Sequence, residues 1–423
     1  MLAVNKIREE KTAMLQALSK RGGDFAATID AIIETDDQRK RIQAESDGLL
    51  AESNSISKQI GDLYKQGKRE EAEALKARPA ELKEDIQRLK EEMTAVETKL
   101  SELLYEIPNV PHDSVPAGQS DEDNEVVSAE GDVPALHEGA VPHWELAEKY
   151  GLIDFELGVK ITGAGFPVYT GKGAKLQRAL INFFLVEAEK AGFEEVIPPH
   201  VVNEASGYGT GQLPDKEGQM YHMEVDDLYM IPTAEVPITN LFRDVIVKED
   251  ELPIKRSGYT PCFRREAGSY GKDVRGLNRL HQFDKVEIVV IEHPERSYAM
   301  LENMVAHVVE LLRKLDLPFR KLRLCGGDLG FTSALTYDME VYSAAQERWL
   351  EVSSISNFET FQANRLKLRY RGDDKKNRLA HTLNGSALAL PRILAAILEN
   401  NQTPEGIKVP PALVPYTGFD IIS

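Results

Sequence analysis

Two stretches of this 423-residue chain carry charged and aromatic side chains at spacings that suit a nucleotide and an amino acid. The first is Cys262-Phe263-Arg264-Arg265-Glu266. The second, beyond a glycine-rich and basic stretch, is Arg279-Leu280-His281-Gln282-Phe283-Asp284-Lys285-Val286-Glu287. They read as two polar-ended strands joined by a loop. Residues two apart on a strand share a face, so Arg264 and Glu266 are expected to point the same way, the guanidinium toward a phosphate and the carboxylate toward an amine. Arg279, Phe283 and Glu287 are spaced four apart and are expected to share a face too. An Arg-x-Glu pair by itself is ordinarily a surface ion pair of small consequence; the combination of cations, an aromatic platform and a carboxylate is what raises the pattern above that reading.

A second candidate is Glu351-Val352-Ser353-Ser354. A carboxylate and a hydroxyl three apart form a loose magnesium signature, because that ion keeps most of its waters and needs few protein oxygens. Alone, Glu351 and Ser354 read as surface residues. Other segments carry less. Residues 165–172 read Gly-x5-Gly-Lys and continue into Gly173, missing both the spacing and the hydroxyl of a phosphate-binding P-loop; they read as a loop before a helix around Lys175. His137 and His143 have no ligand spacing and no third partner nearby. With Cys262 and Cys325 as the sole cysteines, neither a disulfide framework nor a zinc site is expected.

The elements that must position these residues fall into two parts. Leu82, Ile86, Leu89, Met93, Val96, Leu100, Leu103 and Ile107 alternate at spacings of four and three, a coiled-coil stripe. Ile42, Leu49, Ile56 and Leu63 repeat every seven residues, with Ser46, Ser53 and then Ile60 filling the second seam position. Lys65-Gln66-Gly67-Lys68-Arg69 supplies a reversal, so an antiparallel hairpin over about 30–103 is predicted, roughly 50 Å long. Pro79 should delay the second limb until near Leu82. Pro108-Asn109-Val110-Pro111, Pro116 and the acidic run Asp121-Glu122-Asp123-Asn124-Glu125 mark a linker, placing a domain boundary near residue 110. Beyond it, β-branched runs such as 286–291 alternate with amphipathic helices such as 176–186 and 300–312, an α+β pattern.

Composition limits the function classes. The net charge of −18 disfavours indiscriminate binding to nucleic acid or anionic membranes and would confine any nucleic-acid contact to one local, salt-sensitive face. No run approaches the ~18 apolar residues of a membrane span, and Met1 leads directly into a charged amphipathic segment, so a cytoplasmic protein without membrane attachment is expected. Basic residues of the hairpin, Lys58, Lys65, Lys68, Arg69, Lys76 and Arg78, are balanced by acids and suit a solvated coiled-coil face.

The paired stretches resemble motif 2 of the class II aminoacyl-tRNA synthetases, Phe-Arg-x-Glu, a loop, then Arg-x-x-x-Phe-x-x-x-Glu. Ala267-Gly268-Ser269 and His281-Gln282-Phe283 resemble its seryl branch. Motif 1 (about 176–201) has a counterpart in Gly192-Phe193, Val196 and Pro199-His200-Val201. Motif 3 (about 383–399) has one in the run from Asn384-Gly385-Ser386 to Pro391-Arg392, with Ala387 and Pro391 where many members carry glycine. Thr233-Ala234-Glu235 after Met230-Ile231-Pro232 resembles the seryl loop that closes over serine and holds its ammonium. The resemblance covers essentially the whole chain, hairpin included.

The resemblance implies an N-terminal tRNA-binding domain over 1–110 and, over 111–423, a class II catalytic domain built on an antiparallel sheet flanked by helices. It implies activation of L-serine by ATP with Mg2+, transfer to tRNA(Ser) and to tRNA(Sec) where that exists, and a homodimer formed through motif 1. For serine it implies Thr233, Ala234, Glu235, Arg264, Glu287, Asn384 and Ser386. For ATP it implies Arg264, Arg265, Glu266, Arg279, Leu280, Phe283, Glu351, Val352, Ser353, Ser354 and Arg392, with Glu351 and Ser354 on magnesium. Arg264, Arg392 and Glu351 would be the catalytic set, Phe283 stacking on adenine, Glu266 contacting it, and Arg279 with Arg392 holding the terminal phosphates. The basic residues of the hairpin would then touch tRNA. A synthetase for another amino acid or for a carrier protein, or a non-catalytic tRNA-binding paralogue, are the alternatives; the intact arginines and glutamates oppose the last.

Overall fold

The computed structural model describes residues 1–267 and 275–423. The chain divides into two compact units, one of residues 2–16 and 23–108, the other of Met1, residues 17–22 and residues 109–423.

The first unit is built on the predicted hairpin, α1 (Ala26–Lys65), a short α2 (Arg69–Ala74) and α3 (Ala77–Glu106), with N-terminal helical residues 4–16 belonging to the same unit. Its seam follows the heptads. Leu82, Leu89 and Leu100 are buried, and Ile42, Ser46, Leu49, Ser53, Ile56, Ile60 and Leu63 are all half-buried, so the weaker stripe is a true seam despite its serines. Two expectations fail locally. The reversal at Gly67, whose φ is +78°, leads into the extra helix α2 rather than directly into the second limb. Pro79 does not delay that limb to Leu82, because it lies in the first turn of α3, where no intrahelical acceptor is waiting for its missing N–H. In α1, the buried Asp36 carboxylate is met by Arg8 at 3.0 Å, Arg39 at 2.9 Å and Lys40 at 2.8 Å.

The second unit is α+β. Its main sheet has eight strands: β1 (Glu125–Glu130), β2 (Glu194–Glu195), β3 (Ile254–Phe263), β4 (Gln282–Glu292), β5 (Phe319–Arg323), β6 (Leu335–Ser343), β7 (Arg348–Asn357) and β8 (His381–Ala389). They lie in the order β1-β5-β6-β7-β8-β4-β3-β2. Every neighbouring pair is antiparallel except β2 with β3. Alternation along β4 explains both faces. Val286, Ile288 and Val290 enter a core shared with Leu176, Phe183 and Phe184 of α4 (Gly171–Lys190), Met304 and Val308 of α6 (Ser297–Lys314), and Ile393 and Leu394 of α8 (Leu390–Asn400). Phe283, Lys285 and Glu287 therefore point to the other face. Two shorter helices line that side of the unit, α5 (Glu235–Asn240) and α7 (Thr360–Leu366). Helix α4 begins at Gly171, earlier than the loop reading of residues 165–172 allowed. Among the described residues, no helix is long and apolar enough to cross a membrane.

Candidate active site

The polar face of β4 meets the segment before α5 around one carboxylate. Glu287, fully buried, accepts from the Thr233 hydroxyl at 3.1 Å and from Asn384 Nδ2 at 2.9 Å, and the Lys285 ammonium lies 2.5 Å away. Lys285 also donates to Thr233 Oγ1 at 2.9 Å. The register explains the meeting: Glu287 stands opposite Ser386 on β8 and Gly258 on β3, and Asn384 is two residues from Ser386 on the same face. Buried charges need such compensation, since an unpaired one costs several kcal/mol. Thr233 in turn accepts from the Glu235 backbone N–H at 3.2 Å. Glu235 is buried and accepts from Gln362 Nε2 of α7 at 2.6 Å. Burial first, and then repulsion from Glu287, push its carboxyl up to about 7 despite Gln362, Lys285 and Arg264. Ala234, also fully buried, offers only its backbone to a ligand.

Arg264 and Glu266 reach this region by a different geometry from the one expected. Strand β3 ends at Phe263, and Glu266 has φ +49°, so strand alternation does not align the two. The Arg264 guanidinium instead lies 5.2 Å from the centre of the Phe283 ring and donates to the Pro232 carbonyl at 3.3 Å. Glu266 pairs with Arg279 at 3.3 Å. Arg279 precedes β4, which starts at Gln282, so it does not share the strand face of Phe283 and Glu287. Arg265 lies over the Tyr221 ring at 5.6 Å. Leu280 and Val352 are buried in the main core, which leaves only their backbones for a nucleotide. Gly268 and Ser269, part of the seryl-like pattern, lie outside the described residues.

Across β7 the register slips by one residue. Ser353 pairs with Met339 and Glu351 with Glu340, leaving Val352 as an extra residue. On a regular strand Glu351 and Ser354 would face opposite sides. The bulge brings them together, Ser354 Oγ donating to Glu351 Oε1 at 3.5 Å, while Ser353 turns to donate to the Ser386 carbonyl at 2.6 Å. Asp338, opposite Ser354, is buried with its Oδ1 unpartnered, and burial together with Glu351 pushes its carboxyl well above the usual range. This is a set of hard oxygens with one unsatisfied buried member. It fits a magnesium ion, although among the described residues no cluster of three or more His, Cys, Asp or Glu side chains is assembled to hold a metal. Arg392, on the first turn of α8 beside Pro391, donates to the Glu351 carbonyl at 2.9 Å and to the Asn278 carbonyl at 3.1 Å. Proline is tolerated there because first-turn N–H groups have no helical acceptor.

Lys285, Gln362 and Asp338 join this cluster through the fold. Lys285 had a signal, since alternation puts it between Phe283 and Glu287 on one face. Asp338 had none, because its place depends on a register set by another strand. On the hairpin, Lys65, Lys68 and Lys76 pair with Asp62, Glu71 and Glu73 at 3.3, 3.3 and 2.6 Å, and Arg78 with Glu52 at 2.9 Å, while Lys58 and Arg69 are exposed.

Comparisons with known proteins agree with this architecture. A family model described as the seryl-tRNA synthetase N-terminal domain matches residues 1–111, and one described as the tRNA synthetase class II core domain (G, H, P, S and T) matches residues 220–401. The chain is 52% identical to the serine–tRNA ligase of Salinibacter ruber over 99% of this chain and 98% of that protein. It is 47% identical to that of Akkermansia muciniphila over 100% and 99%. Among solved structures it is similar to a seryl-tRNA synthetase from Pyrococcus horikoshii complexed with ATP, with a TM-score of 0.91 and 34% identity over 100% of this chain and 99% of the other.

Proposed function

The chain belongs to the seryl-tRNA synthetase family and ligates serine to tRNA, and from that premise we propose that the face carrying Phe283, Lys285 and Glu287 is where L-serine and ATP react. The observation that carries this reading is Glu287, a fully buried carboxylate ringed by Thr233, Lys285 and Asn384. Such a site is built to receive a small hydroxyl. Glu235 is positioned to take the substrate ammonium, and Arg264, over the Phe283 ring, to meet both the serine carboxylate and the α-phosphate. The adenine would stack against Phe283, Arg392 and Arg279 would hold the terminal phosphates, and Ser386 would help fix the serine.

The serine carboxylate oxygen attacks the α-phosphorus, the bond to the bridging oxygen breaks, and diphosphate leaves. No proton is abstracted from the nucleophile, so the chain's work is positioning and charge neutralisation by Arg264 and Arg392. Glu351 and Ser354 would hold magnesium, with Asp338 beside them, supplying positive charge to the phosphates. In the second step the terminal ribose 3′ hydroxyl of tRNA attacks the adenylate carbonyl and AMP departs.

The hairpin would grip the tRNA, with tRNA(Ser) and tRNA(Sec) as the acceptors, and the cytoplasm would be its compartment. A homodimer through motif 1 is supported by Ile197, 84% exposed in the single chain. ATP–pyrophosphate exchange across the twenty amino acids tests the assignment. Serine should support exchange in the presence of magnesium, and alanine should be worse by roughly 10⁴-fold, because a site that hydrogen-bonds a hydroxyl leaves buried groups unpaired without it. Equal exchange with alanine would sink it.

A further inference from the structure

His143, which has no metal-ligand spacing in the sequence, sits at the centre of a buried network reaching the ATP face. Its backbone N–H donates to Glu399 Oε1 at 3.0 Å, and its Nδ1 lies 2.6 Å from the same oxygen. Both side chains are fully buried. The Leu277 backbone N–H donates to His143 Nε2 at 2.8 Å. A nitrogen that accepts carries no proton, so the proton is on Nδ1, donated to Glu399. Ser343 and Gln346 also donate to Glu399; burial alone would raise its carboxyl, but the contacts from His143 and then Ser343 hold it below the usual range.

The limb that returns to β4 is seated on this network residue by residue. Arg275 lies 4.8 Å over the Trp144 ring. Gly276 has φ +65°, and a Cβ there would collide with His143 Nε2. Leu277 makes the hydrogen bond just described. Asn278 donates to Gln346 at 2.9 Å, and its carbonyl receives Arg392 Nε at 3.1 Å. Arg279 follows directly.

We propose that His143, oriented by Glu399, is a positioning residue that fixes residues 275–278 and thereby sets both Arg279 and Arg392 for the phosphates of ATP. This rests on the assignment of those two arginines to ATP. His143 touches no substrate itself. Its effect should fall on ATP and spare serine, whose pocket is built from Thr233, Glu235 and Glu287.

The test is pyrophosphate exchange by the full-length protein with His143→Asn, His143→Gln, Gly276→Ala and Arg392→Ala. Asparagine can keep the donor to Glu399 but loses the acceptor for Leu277, whereas the glutamine Oε1 can stand where Nε2 does. The ATP KM should rise about five- to tenfold in His143→Asn, the worth of one hydrogen bond, with serine KM within about twofold; His143→Gln should stay near the parent. Gly276→Ala, whose Cβ would press on the same His143 nitrogen from the loop side while leaving the imidazole and Glu399 in place, should reproduce the ATP effect. Equal rises in serine and ATP KM, or an unmoved ATP KM in both His143→Asn and Gly276→Ala, would overturn the proposal while a raised ATP KM in Arg392→Ala left the site reading standing. An unmoved ATP KM in Arg392→Ala would overturn that reading, and this inference with it.

Discussion

Lys285 holds its ammonium 2.5 Å from the Glu287 carboxylate, with both side chains buried, so each is the other's counter-ion in the proposed serine site. Glu287→Gln removes one charge and strands the other. The lost charged contact is worth about 1.5 to 3 kcal/mol, roughly one to two decades in serine KM. ATP KM should change little. Arg264→Ala, which removes a group assigned to both substrates, should raise both. Steady-state exchange kinetics with each substrate varied in turn separate the cases, and unchanged serine kinetics in Glu287→Gln would remove that residue from the site.

If Glu235 takes the serine ammonium as proposed, serine binding is expected to depend on pH. Its carboxyl is pushed up to about 7, and the ionised form is the one that meets an ammonium. Ionised Glu235 is therefore abundant at pH 8 and scarce at pH 6. Apparent affinity scales with the competent fraction, so serine KM should rise by about tenfold between those values as pH falls. Glu235→Gln should raise serine KM and flatten that profile; a profile unchanged by the substitution would assign the titration elsewhere.

The oxygens around the β7 bulge are expected to set the magnesium requirement. Glu351→Gln and Ser354→Ala should each raise the Mg2+ concentration for half-maximal exchange. Asp338→Asn should do so by about tenfold, the scale seen when a supporting group near a metal is lost. A magnesium titration of exchange at saturating ATP and serine reads this directly, and coincident curves for all three variants and the parent would exclude the site.

Replacing residues 30–100 with a short flexible linker should separate the two steps. Serine-dependent exchange should persist, because every residue assigned to adenylation, and the positioning residue His143, lies in the other unit. Charging of tRNA at sub-saturating concentration should collapse. In the intact protein, tRNA affinity should fall steeply with salt, each neutralised phosphate contributing up to about 0.9 to the log–log slope. Full-rate charging by the shortened protein would remove the hairpin from tRNA recognition.

How far these features can be read from residues alone depends on the range of the interaction. The seam of α3 was legible because Leu82, Leu89 and Leu100 answer to a local period. Arg264 and Glu266 stand out in the sequence by residue type, but the shared strand face expected of them does not form, since β3 stops at Phe263 and the following backbone turns away from strand alternation. Asp338 was invisible because its meaning comes from the strand opposite. His143 reads as a lone histidine in the sequence because its partner Glu399 lies 256 positions further along the chain. Pattern reading finds side chains whose neighbours are near in sequence, and loses those whose neighbours are brought by topology.

The one-residue slip at Val352 has a consequence for transplanting this site. A Glu-x-x-Ser tetrapeptide copied onto an unbroken strand of another protein would send its carboxylate and hydroxyl to opposite sides of the host sheet. The transferable unit is therefore the pair of β6 and β7 with their mismatched residue count, and a designer or a motif search that keeps the letters while regularising the strand would carry over the residues without the site.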